Sequence, residues 1–135
     1  MKRMFLISMM LLASFMLAAC GGGGGSDEII MDEPMPAGAE DAFVVELEFT
    51  AEVIVPDKIT IPAGQEILFV VYNSDTGEGD MNEDHNLVGP ELGLREIIVV
   101  PGQTVRRLWD GYDEPGTYTV GCTIHPWILM EITVE

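Results

Sequence analysis

From residue 43 onward the chain is built of short alternations. Phe43, Val45, Leu47 and Phe49 are interleaved with Val44, Glu46 and Glu48, a period of two that marks a strand with one buried face. Val53 to Val55 and Ile59 to Ile61 continue in the same style, with Pro56 and the run Pro62-Ala63-Gly64 as turns. Glu66 to Tyr72 is apolar on both faces after its first residue, as a central strand of a sandwich would be. A polar, acidic loop from Asn73 to Asp84 then delivers the chain to His85, which opens another strand. Ile97 to Val100, Thr104 to Trp109, Thr117 to Cys122 and a last alternation through Ile132 and Val134 complete the set, punctuated by Pro101-Gly102 and Pro115-Gly116. No helical period is visible after Ser26. Short strands with Gly and Pro turns between them predict an all-β fold, a Greek-key β-sandwich or barrel.

The first 41 residues have a different character. Lys2 and Arg3 precede an apolar run to Leu17, and Leu17-Ala18-Ala19-Cys20 ends it with small residues, which is the order of an export signal. The run is short for a membrane span, Ser8 and Ser14 interrupt it, and Gly21 to Gly25 follow at once. The ending resembles the lipobox of bacterial lipoproteins, which implies a signal peptide over 1–19 and a diacylglyceryl group on Cys20. Residues 20–41 then read as a flexible acidic tether, since Asp27 to Asp41 adds acidic residues, Pro34 and Pro36 without a sustained apolar period. The folded domain is expected over 42–135.

Composition narrows the function. A chain of 135 residues has room for one small domain. Its net charge of −17, with Lys58, Arg95, Arg106 and Arg107 the only basic side chains after Arg3, argues against nucleic acid as a partner. An acidic surface serves solubility and also steers cationic partners. Export implies an oxidising compartment, and with Cys20 committed to lipid, Cys122 has no partner for a disulfide. Metal ligation would occupy that thiol.

His85 and His125 are the only histidines, and Cys122-Thr123-Ile124-His125 places the thiol three residues before the second. Two imidazoles and a thiolate, with a weak axial sulfur, form the donor set of a blue copper centre: thiolate suits Cu(I) and imidazole suits both oxidation states. A zinc site would need a carboxylate or water to complete its shell. A thiol nucleophile with a histidine base lacks any visible oxyanion-hole or orienting group, so no enzymatic activity is expected.

Ile61-Pro62-Ala63-Gly64, Asp84-His85-Asn86-Leu87, Val100-Pro101-Gly102, Pro115-Gly116-Thr117-Tyr118 and Cys122-Thr123-Ile124-His125-Pro126 together resemble the cupredoxins, and most closely their plastocyanin and amicyanin branch. The resemblance runs from about Val53 to Glu135. It implies one copper ion held by His85, Cys122 and His125, each histidine through Nδ1, with Asn86 tying the two ligand loops together and supporting the sulfur. For the axial position it offers Met130, at the plastocyanin spacing of five residues after His125, or Ile128, at the amicyanin spacing of three. Met130 is the expected ligand, because methionine is the usual axial group. Pro126 and Trp127 correspond to an exposed apolar patch where redox partners dock, and the acidic residues Asp75, Glu78, Asp80, Glu83 and Asp84 could steer a cationic partner to it.

The resemblance therefore implies a monomeric electron shuttle, exported and held by lipid on the outer or periplasmic face of the cell membrane. Its partners would be a c-type cytochrome or a membrane oxidoreductase. A copper carrier using the same three residues is the alternative.

Overall fold

A computed structural model describes residues 28–77 and 83–135. The expected signal segment, Cys20, and Glu78 and Asp80 lie outside the described residues. The strands within it are β1 (Phe43–Phe49), β2 (Ile54–Val55), β3 (Lys58–Ile61), β4 (Ile67–Asn73), β5 (His85–Gly89), β6 (Leu94–Val99), β7 (Thr104–Trp109), β8 (Gly116–Gly121) and β9 (Leu129–Val134). Only two short 3-10 turns, Ala39–Asp41 and Pro90–Leu92, interrupt this all-β order among the described residues.

The strands form two sheets, one in the order β2-β1-β4-β7 and one in the order β3-β9-β8-β5-β6. The chain crosses between the sheets, which lets β1 run parallel to β4 (Phe43 opposite Ile67, Phe49 opposite Asn73) and β3 parallel to β9 (Lys58 opposite Glu131, Ile61 opposite Val134). The alternation in β1 buries Val45, Leu47 and Phe49 and leaves Phe43 partly in solvent. β4 has a buried run on both sides of its centre because it lies between β1 and β7 with the second sheet stacked over it. Phe49, Ile61, Ile67, Phe69, Val71, Leu87, Val99, Val105 and Ile132 meet in one core between the sheets, each wholly removed from water. Apolar area removed from water on this scale, at about 25 cal/mol per Å², is the main favourable term in holding such a sandwich together.

β7 is an edge strand, and an edge carries unpaired backbone groups. Here the segment before the domain covers part of it. Thr104 donates its N–H to the Met31 carbonyl (2.7 Å), Glu33 donates to the Thr104 carbonyl (3.0 Å), and the Gln103 side chain donates to the Ile30 carbonyl (2.9 Å). Asp32 pairs with the Arg106 guanidinium and Glu33 with that of Arg107, while the Arg106 N–H donates to Glu33 Oε2 (3.0 Å). Residues 30–33, inside the stretch 20–41 read as a tether, thus lie along β7. Acidic residues in a Pro-containing stretch read as a solvated tether, yet two of them meet adjacent arginines on an open strand edge.

The hydrogen bond from Arg107 holds the Glu33 carboxyl below its ordinary value, against an opposing push from burial. A carboxyl lowered in the folded state contributes its stabilisation above the unfolded value and loses it as pH falls through the lowered one. The strap should therefore be rigid at neutral pH and loosen in acid while the sandwich persists. Backbone 15N relaxation of Met31 to Glu33 checks this, and Glu33→Gln should be loose at both pH values. Unchanged relaxation in Glu33→Gln would mean that the backbone pairing to Thr104 suffices alone.

Candidate metal centre

β5 begins at His85, opposite Val99 at the end of β6, and β8 ends at Gly121, opposite Val88 of β5. Antiparallel pairing therefore brings the first residue of one strand and the residue after another to the same end of the sandwich. Cys122 leads into a short loop that returns at Leu129, and His125 lies within it. The loop is pinned at its base, where Cys122 donates its N–H to the Ile128 carbonyl (3.0 Å) and Ile128 donates to the His125 carbonyl (2.9 Å). Gly121 makes that closeness available: a Cβ there would lie 2.7 Å from the Ile128 carbonyl oxygen.

His85, Cys122 and His125 are buried at 0%, 3% and 5% exposure, and one ligand atom of each falls within 4.8 Å of the others. Cys122 Sγ is 3.9 Å from His85 Nδ1 and 3.8 Å from His125 Nδ1. A first-row ion bound at about 2.3 Å from sulfur and about 2.05 Å from nitrogen, with ~120° between them, requires an S···N separation of about 3.8 Å. The three residues fit such an ion without rearrangement. Among the described residues no third imidazole or second thiol is present to close a zinc-type shell, and the soft-plus-borderline donor set is the one that suits copper.

The sulfur receives two backbone N–H groups, from Asn86 (3.4 Å) and His125 (3.3 Å). The Asn86 side chain spans the two loops: its carbonyl accepts from the Thr123 N–H (2.7 Å), and its amide donates to Thr123 Oγ1 (2.7 Å) and to Glu96 (2.6 Å). His85 stacks almost parallel on Phe49, with ring centroids 4.9 Å apart and 9° between planes. Its Nε2 lies 3.0 Å from Asp75 Oδ2, which leaves Nδ1 turned toward the sulfur. Burial pushes the His85 pKa down, against the opposing hydrogen bond from Asp75, so the ring is held in the neutral form that ligates.

Sequence reasoning missed Phe49, Asn73, Thr123 and Glu96, and it took Asp75 for a steering charge. Asp75 instead turns inward, with 11% of its side chain exposed. Trp127 and Leu129 are exposed at 59% and 55%, and Trp127 meets the His125 ring edge-on at 5.3 Å. They border a cleft of about 320 Å³ with Val53 and Val55 on its other side.

Ile128 and Met130 occupy different levels. Val120 lies opposite Met130 in the β8–β9 ladder and Gly121 opposite Leu129, so Ile128 stands level with Cys122. Met130 is two residues deeper, about 7 Å along the strand, and is buried in the core. Ile128 is buried too, at 1% exposure.

A model of the cupredoxin-like domain matches residues 6–134. No curated protein matches the chain by sequence. Among solved structures, reduced auracyanin from the photosynthetic bacterium Roseiflexus castenholzii superposes with a TM-score of 0.56 at 16% identity, covering 70% of this chain and 98% of that one. Auracyanin A of Chloroflexus aurantiacus, a blue copper protein, gives 0.54 at 15% identity over 70% and 99%. The metal-binding domain of the Cu(I)-exporting P-type ATPase of Streptococcus pneumoniae D39 gives 0.57 at 10% identity over 78% and 94%. At such identities the superpositions speak for the fold, whereas the family match extends over nearly the whole sequence. A two-sheet sandwich with a buried His, Cys, His set at one end and a cupredoxin-like match along its length identifies this chain as a member of the cupredoxin family of copper proteins.

Proposed function

We propose that this protein is a type 1 copper electron carrier in which His85 and His125 bind through Nδ1 and Cys122 through Sγ. The observation that carries the reading is the buried trio itself, whose S···N separations of 3.8 and 3.9 Å already match a trigonal ion. Copper held there supplies a one-electron couple between Cu(I) and Cu(II). The chain's own contribution is rigidity. Two antiparallel strands, the Ile128 carbonyl and the Asn86 bridge hold the three side chains in one arrangement for both oxidation states, so little moves when an electron arrives. Hydrogen bonds from Asn86 and His125 to the sulfur draw charge from it and tune the potential.

Electrons would enter and leave through the His125 edge. Pro126, Trp127 and Leu129 are exposed around it, and small, partly apolar contacts of this kind suit transient redox complexes. A c-type cytochrome or membrane oxidoreductase is the partner class. In this reading the lipobox-like segment ending at Cys20 would hold the carrier at the cell envelope on a lipid anchor. A copper carrier that hands over the ion itself is disfavoured by the burial of all three ligands, since transfer of metal requires a donor group that the acceptor can reach.

For the fourth position we propose Ile128 in place of Met130, because Ile128 is level with Cys122 and Met130 is not. The test is an absorption spectrum of the purified soluble domain after Cu(II) addition, with an intense band at about 600 nm expected from copper–thiolate charge transfer. A protein that stays colourless and takes copper only as Cu(I) would sink the carrier of electrons in favour of the carrier of metal. Ile128→Met should then lower the reduction potential by adding a sulfur donor, while Met130→Leu should leave it where it was. A shift in Met130→Leu as large as that in Ile128→Met would return the axial role to Met130.

A further inference from the structure

We infer that Asp75, held in place by the buried amide of Asn73, is the positioning residue that fixes His85 as an Nδ1 ligand and biases the site toward Cu(II). This inference rests on the copper reading above and adds the control of one ligand to it.

Asn73 is the last residue of β4 and has no exposed surface. Its side chain is fully used. The amide donates to the Glu83 carbonyl (2.9 Å) and to the Val99 carbonyl (3.1 Å), and its oxygen accepts the N–H of Asp75 (2.9 Å). One buried side chain therefore holds a residue near each end of the loop from Ser74 to Asp84 and ties both to the end of β6. A buried polar group placed among three backbone partners resists displacement, because any movement leaves a donor or acceptor unpaired at a cost of about 1–3 kcal/mol.

The consequence falls on Asp75. Its Oδ1 accepts the Gly77 N–H (3.1 Å) and its Oδ2 lies 3.0 Å from His85 Nε2, so both oxygens are committed. Phe49 settles the plane of the His85 ring by stacking, and Asp75 settles which edge of the ring faces the sulfur. With Nε2–H donating to a carboxyl oxygen, the lone pair resides on Nδ1, at 3.9 Å from Cys122 Sγ. A carboxylate held 3.0 Å behind the imidazole also sets a negative charge close to the ligand, which favours the more highly charged Cu(II) over Cu(I). The acidic loop before His85 thus contains one residue with a job inside the molecule, distinct from any steering by its neighbours.

The experiment uses Asp75→Asn and Asp75→Ala, with Asp84→Asn as a control for loss of one negative charge on the same loop. In the metal-free protein, 15N shifts of the His85 ring should show Nε2 protonated in wild type and in Asp84→Asn. Both Asp75 variants should show a mixture, and the same spectra report whether each is folded. With Zn(II) as a redox-silent probe and Cu(II) and Cu(I) measured by competition, the Asp75 variants should lose about 10–100-fold in affinity for Zn(II) and Cu(II), and less for Cu(I). Wild-type tautomer and affinities in both Asp75 variants would overturn the inference and leave the copper reading intact. An equal effect in Asp84→Asn would also overturn it, as a matter of net charge alone. A wild-type protein without the visible band defeats the electron-transfer reading, while the tautomer and Zn(II) arms still decide the role of Asp75.

Discussion

Cys122→Ser should fold and lose the intense visible band altogether, with at least a tenfold fall in absorbance, because charge transfer from sulfur is its source (~600 nm). The exchange is nearly isosteric, and a serine hydroxyl can still accept the two N–H groups that now meet the sulfur from Asn86 and His125. Without those donors a buried hydroxyl would cost about 1–3 kcal/mol, so with them the copper-free variant should be close to wild type in stability. With copper present the two should diverge. Any ion that binds only the folded state adds stability in proportion to the logarithm of its affinity, and a hard oxygen donor holds Cu(I) poorly. Thermal unfolding with and without copper measures this difference, and an unaltered band in the variant would remove Cys122 from the ligand set.

Phe49→Ala should be the most damaging single change to the fold, at about 3–5 kcal/mol. Phe49 has no exposed surface, closes β1, and accepts hydrogen bonds at its carbonyl from the Ser74 N–H (2.9 Å) and hydroxyl (3.1 Å). Against a typical total of about 5–15 kcal/mol, that loss brings a domain of this size near its limit. The variant has a second expected consequence. Removing the ring beneath His85 frees the imidazole to tilt, so any band that remains should broaden and shift. Phe49→Leu separates the two effects, since it keeps most of the packed volume and loses the stack. Urea denaturation should show a lower midpoint at unchanged slope for both, larger for alanine. A midpoint for Phe49→Ala within 1 kcal/mol equivalent of wild type would show that the core closes over the cavity at about no cost.

The alternation of apolar residues located most strands of this sandwich before the structure did, because side chains on a pleated strand must sort by face. The histidines and Cys122 were equally visible, being the only residues of their kind in the expected domain. What remained hidden was set by contacts between residues far apart in sequence. Phe49 read as one more inward strand residue, and only the packing of one sheet on the other sets it beneath His85. Asn73 and Asp75 read as the polar start of a solvated loop. Their partners are His85, Glu83 and Val99, up to 26 residues away, and no local pattern announces them. Met130 drew attention as a sulfur at a familiar spacing, whereas the ladder between β8 and β9 settles its level by counting from Gly121. Asp32 and Glu33 had the composition of a tether, and their arginines lie more than 70 residues ahead.

In the proposed lipid-anchored carrier, that strap would also decide where the domain is hung. Ile30 lies against Gln103, beside the end of β6 that pairs with His85, while Gly38 has come down to the level of Leu108 and Phe43 starts β1 at the opposite end. A pull arriving from upstream of residue 30 is therefore applied at the metal-bearing end, like a lamp suspended by its socket. Release of the strap would move the point of suspension to the foot of β1, about 23 Å away along seven residues of strand, and invert the body relative to whatever holds it.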